Sequence, residues 1–175
     1  MTLYSLALFV HIVGALLLFG AFTSEGIALF HLRRSTTSAQ VREWEGVAGL
    51  ARIFGPASVV TILASGLAMM ISTWGWVAWI AVGLIAWVLV AVMGALNGIR
   101  LSRAARSARD NAGALAGLTA PSFVISWVTR LAIGVGIVFV MTSKPELAGS
   151  ILAITVATAV GAVAGLALAR RPSPE

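Results

Sequence analysis

Five runs of apolar residues dominate the chain, at about residues 3–32, 47–72, 76–99, 121–142 and 147–169, and short stretches holding nearly all the charge separate them. A helix crosses a bilayer with about 20 apolar residues at ~1.5 Å of rise each. Each run meets that length. Only 10% of the 175 residues are charged, against roughly 25% in soluble domains, too few to coat a water-facing exterior. The pattern predicts an all-α polytopic membrane helix bundle, one transmembrane domain of five helices spanning residues 1–175.

The loops predict orientation. Arg33, Arg34, Arg42 and Arg52 lie between the first two runs, Arg100, Arg103, Arg106 and Arg109 follow the third, and Arg170 and Arg171 follow the fifth. The opposite loops hold Lys144 beside Glu146, and Arg130 sits inside a run. Cytoplasmic loops collect Lys and Arg, so the expected topology is N-out and C-in. The first run has no positive segment before it, as a secretory signal would, and reads as a retained span. Trp74, Trp76 and Trp79 cluster where an outer aromatic belt is expected. The basic balance sits between membrane runs, which argues against nucleic acid as a partner. The row Arg100, Arg103, Arg106 and Arg109 is suited to anionic lipid headgroups at the inner leaflet.

Within the runs, Pro56 removes one backbone hydrogen bond and predicts a kink after Gly55. Pro121 suits the first turn of a helix. In the longest linker, LSRAARSARD reads as a helical extension and NAGALAGLTA as flexible. The fifth run places Ala153, Ala157, Gly161, Gly165 and Ala169 at every fourth position. Small residues at this spacing let two helix backbones approach closely, either inside the chain or against a second copy in a homo-oligomer or larger complex. Gly94 and Gly98 repeat the device more weakly on the third run.

Ionisable side chains inside a bilayer are costly and mark either internal pairing or function. His11, about two turns into the first run, can ligate haem iron or a metal or relay a proton; it can equally be a hydrogen-bonded packing residue. Glu25 lies fourteen residues on and only about 40° around the helix from it, on a face shared with Gly14, Leu18 and Phe22. Arg130, roughly 13 Å into the fourth run, matches Glu25 in depth. A Glu25–Arg130 pair is expected, with Arg52 as competing or shared partner. That pair serves structure alone or a proton or substrate site. His31 is interfacial. Met69 and Met70, near the depth of His11, fit either gap-filling packing or axial ligation of haem or a metal. Cysteine is absent, which excludes disulfides, thiolate metal sites and cysteine nucleophiles. No HExxH, P-loop, GxSxG or carboxylate cluster is present, so no catalytic residue is assigned and a membrane protease or NTPase is not expected.

The stretch FVHIVGALLLFGAF, with His11, Gly14 and Phe19–Gly20, resembles the bacterial membrane family known as domain of unknown function 2269. ARIFGPASVVTILASGLAMM, with Pro56 and Ser65–Gly66, and the KPE turn before the last run fit the same family. The opening pattern is also similar to span one of CopD-like copper-resistance proteins and of HemJ-like protoporphyrinogen oxidases. The latter use a span-one histidine with haem, so the resemblance implies His11 as a haem or metal ligand; downstream the chain departs from the HemJ-like pattern. Three readings follow: an accessory or redox-related inner-membrane protein binding haem or a metal through His11, a small proton-coupled transporter using Glu25 and Arg130, and an enzyme of haem metabolism.

Overall fold

In an apolar solvent a backbone can satisfy its N–H and C=O groups only within itself, which drives each apolar run into a helix. The computed structural model describes residues 2–170 and is helical throughout, with no strand among the described residues. Its helices are α1 (Leu3–Leu32), α2 (Ser38–Met69), α3 (Ala78–Asp110), α4 (Pro121–Ser143) and α5 (Leu147–Ala169). All five are long and apolar enough to cross a membrane. Large apolar side chains such as Phe9, Leu16, Val60, Ile85, Val135 and Val163 point outward, as they should where lipid surrounds the bundle. Arg171 lies outside the described residues.

The boundaries of α1 and α5 coincide with the apolar runs, whereas α2 and α3 extend past theirs. α2 starts at Ser38 because Thr37 and Gln40 form a reciprocal capping box. Replacing Thr37 by alanine is expected to cost about 1 kcal/mol, read as a fall in the thermal midpoint in detergent. α2 continues through Pro56 to Met69, and its last turn widens into a π-helix over Met70–Trp74. Gly75, at φ +64°, then turns the chain toward α3. α3 carries the arginine row as a true helical extension to Asp110.

The expectation of a flexible NAGALAGLTA segment does not hold: Ala112–Thr119 is a 3₁₀ helix. Leu115 and Leu118, three residues apart, share one side of a three-residue turn. Leu118 is buried with Leu32, Val41, Leu101 and Phe123. Lacking a polar face of its own, the segment is held down by the apolar cluster that joins the cation-rich ends of α1, α2, α3 and α4.

Two antiparallel pairs form the frame. α1 and α2 meet where Gly14 lies against Thr61 and Ile62, Gly20 against Phe54, and the His31 ring stacks on Trp44 at 3.6 Å. α4 and α5 meet through the small-residue stripe. A Cβ at Gly161 or Gly165 would lie 2.8 Å from the Cα of Thr129 or of Ile125, and one at Gly136 would lie 2.9 Å from the Cβ of Ala157. Ala153, Ala157, Gly161 and Gly165 are therefore used within the chain, the first of the two alternatives that the spacing allows. At the opposite end from the arginines, Trp74 packs edge-on to Trp79 and takes the Lys144 ammonium over its ring, which ties the α2–α3 turn to the α4–α5 turn.

Candidate functional site

Glu25 faces inward from α1 and is buried, the only acid among the described residues that is. Arg130, on α4, is 3% exposed and donates from Nη2 to Glu25 Oε1 at 2.6 Å. The expected pair is present. Asn97 of α3 completes it, donating from Nδ2 to the same oxygen at 2.8 Å. Asn97 was not among the expected site residues, although a lone amide in the apolar run AVMGALNGI was the available signal. Three helices thus meet on one carboxylate oxygen.

The surroundings explain how an arginine fits at this depth. Gly94 leaves room for the guanidinium, since a Cβ there would sit 3.1 Å from Arg130 Nη1. That is the role of this glycine, whereas nothing lies within 4 Å of a Cβ at Gly98. The Phe22 ring lies 5.7 Å from the guanidinium carbon, within cation–π range. One turn before Arg130, Trp127 donates from Nε1 to the Phe22 carbonyl at 2.8 Å. Gly26 makes this approach feasible, because any Cβ there would collide with the Trp127 ring.

The cluster is only partly satisfied. Both bonds to the carboxylate fall on Oε1, and Arg130 Nε is fully buried with no hydrogen-bond partner among the described residues. Buried donors are nearly always paired. Glu25 and Arg130 also line a cleft of about 830 Å³ between α1, α2 and α3, a size typical of ligand sites. Its walls are mainly aliphatic, with Trp87 on one side, and the remaining charged groups on it are Glu45, Arg52 and Arg106.

Arg52 corrects one expectation. It lines the cleft but makes no bond to Glu25; its exposed side chain runs back along α2 and donates to the Glu45 carbonyl at 3.4 Å. The arginine row also splits by direction, as residues three apart drift around a helix. Arg100 lines a small cavity beside Asn97, Ser122 and Ser126, Arg106 lines the cleft, and Arg109 reaches Glu45 at 3.5 Å. Arg100 and Arg103 are exposed.

His11 stands apart from this cluster. Its Nδ1 lies 3.1 Å from Ser65 Oγ, and the Ser65 hydroxyl donates to the Thr61 carbonyl at 2.5 Å. With its own proton committed, Ser65 accepts from His11 Nδ1–H. Gly66 provides the space, a Cβ there being 3.3 Å from His11 Cε1. Met69 follows Ser65 by one turn and is half-buried, and Met70 is buried at the start of the π-turn. His11 does not line the large cleft. Among the described residues no three His, Asp or Glu side chains gather in a way that could hold a metal ion. His11 packs against α2 at Ser65 and Gly66. The His11–Glu25 face is shared along α1 as expected, but it meets α2 at His11 and α3 and α4 at Glu25.

Comparison with protein-family models, curated proteins and solved structures returns no match.

Proposed function

We propose that this chain is a small multi-pass carrier or binding protein of the bacterial inner membrane, lying N-out and C-in, whose site is the Glu25–Arg130 pair on the wall of the α1–α2–α3 cleft, braced from behind by Asn97. One observation carries the reading: a buried ion pair left with an unpartnered Arg130 Nε beside a cavity of about 830 Å³. A pair that only held helices together would be expected to close on itself, because a half-satisfied buried network costs more than an apolar core. Here donors and acceptors remain for a cargo. Glu25 is also the group through which binding would couple to protons. Arg100 and Arg103 are free to meet anionic headgroups on the cytoplasmic side.

The test uses purified protein in mild detergent and in liposomes. The expected sample is colourless and metal-free. Proteoliposomes containing a pH-sensitive dye should acidify when a panel of organic acids and amphiphiles is supplied with a proton gradient, and Glu25→Gln should abolish the signal at matched amounts of folded, inserted protein, whereas the stability-restored double variant Glu25→Gln with Arg130→Met should stay silent. A Soret band lost in His11→Ala, with flux indifferent to Glu25, would instead move the function to His11.

A further inference from the structure

We infer that the cleft receives an anionic amphiphile, its acidic headgroup between Arg52 and Arg106 and its hydrocarbon chain along the apolar wall. The inference rests on the reading of the cleft as a cargo site and names the class of cargo. On α1 the cleft runs from Leu18 to Leu32, about 21 Å at 1.5 Å per residue. That is more than half of a hydrocarbon core of roughly 30 Å. A chain lying along it packs against Val59, Trp87 and Val90, with the exposed Val60 at its rim.

Charge decides the headgroup. Of the charged groups on the cleft, Glu25 is bonded to Arg130, and Glu45 pairs with Arg109 at 3.5 Å. Arg52 and Arg106 have no carboxylate partner among the described residues, and both are exposed at the cation-rich end. The cleft thus holds a surplus of cationic donors at one end and apolar surface along the rest. Guanidinium groups favour phosphate and carboxylate because their donors match those oxygens two at a time. A zwitterionic headgroup would bring its own cation to arginines that already lack anions.

Native mass spectrometry of the detergent-purified chain tests this with phosphatidic acid and phosphatidylcholine bearing the same acyl chains. The expected result is at least tenfold preference for phosphatidic acid. Arg52→Gln with Arg106→Gln should remove that preference, and Val59→Trp should fill the groove and lower retention of both lipids. Inorganic phosphate at the same concentration should not displace the lipid, because it lacks the chain. Equal retention of the two lipids, an unchanged preference in the double variant, or displacement by phosphate overturns the inference. So does a dimer of the chain that excludes both lipids. Each of these outcomes leaves the proton-coupled role of Glu25 to stand on its flux assay. Conversely, selectivity that follows Arg52 and Arg106 while flux ignores Glu25 sustains this inference and removes the carrier reading.

Discussion

Glu25→Gln should lose about 3–5 kcal/mol of stability, because it leaves the Arg130 guanidinium buried without its counter-ion. The loss should appear as a large fall in the thermal midpoint in detergent. Arg130→Met should fall by a similar amount, since it leaves the carboxylate with Asn97 alone. The double variant, Glu25→Gln with Arg130→Met, should recover much of the loss, because no charge then remains at the cluster. A coupling of about 0.5–3 kcal/mol in the resulting cycle is the signature of direct contact. Additive losses would mean that the two groups do not share the bond of 2.6 Å that links them. Asn97→Leu should have a smaller effect, of about 1.5–3 kcal/mol for one bond to a charged group.

Gly165→Leu should be nearly as damaging by an unrelated route. A Cβ at residue 165 lies 2.8 Å from the Ile125 Cα and 3.3 Å from its carbonyl oxygen. Neither backbone atom can rotate away, so α5 must lift off α4. Overpacking of this kind costs up to about 3 kcal/mol, and here it also opens the face that Gly161 and Gly136 seal. Protease cleavage in the α4–α5 turn or a drop in the thermal midpoint would report it. Gly98→Leu, with nothing within 4 Å of its Cβ, should have little effect, which makes it the matched control.

Much of this arrangement is legible in the residues. The apolar runs of α1 and α5 end at charges or at the KPE turn, so their limits and those of the helices agree. The depth of Glu25 and Arg130 could be counted from the ends of their runs, and that was enough to pair them. Hydropathy is blind where the helix leaves the membrane. Ser38 and Asp110 are set by a capping box and by helical arginine spacing, which cost nothing in water and carry no apolar signal. Asn97 bears no charge to count, so hydropathy and charge do not single it out. Arg52 was placed with Glu25 by depth alone, but depth does not fix which way a side chain leaves its helix. NAGALAGLTA looked flexible because its small residues favour no long helix; only the buried cluster around Leu118 holds it in shape. The cleft itself has no sequence signature, since it arises from which helices fail to close on one another.

The central claim is that these helices are membrane spans, with the arginine-bearing ends on one face and the tryptophan-bearing turns on the other. The chain lacks cysteine, so single cysteines can be introduced without removing any. Thr36→Cys and Ser107→Cys mark one face, Thr73→Cys and Ser143→Cys the other, and an impermeant maleimide reports each in sealed vesicles of one orientation. The account predicts that Thr36→Cys and Ser107→Cys label together and only from the side opposite to Thr73→Cys and Ser143→Cys. Labelling of Ser107→Cys and Thr73→Cys from the same side would contradict it.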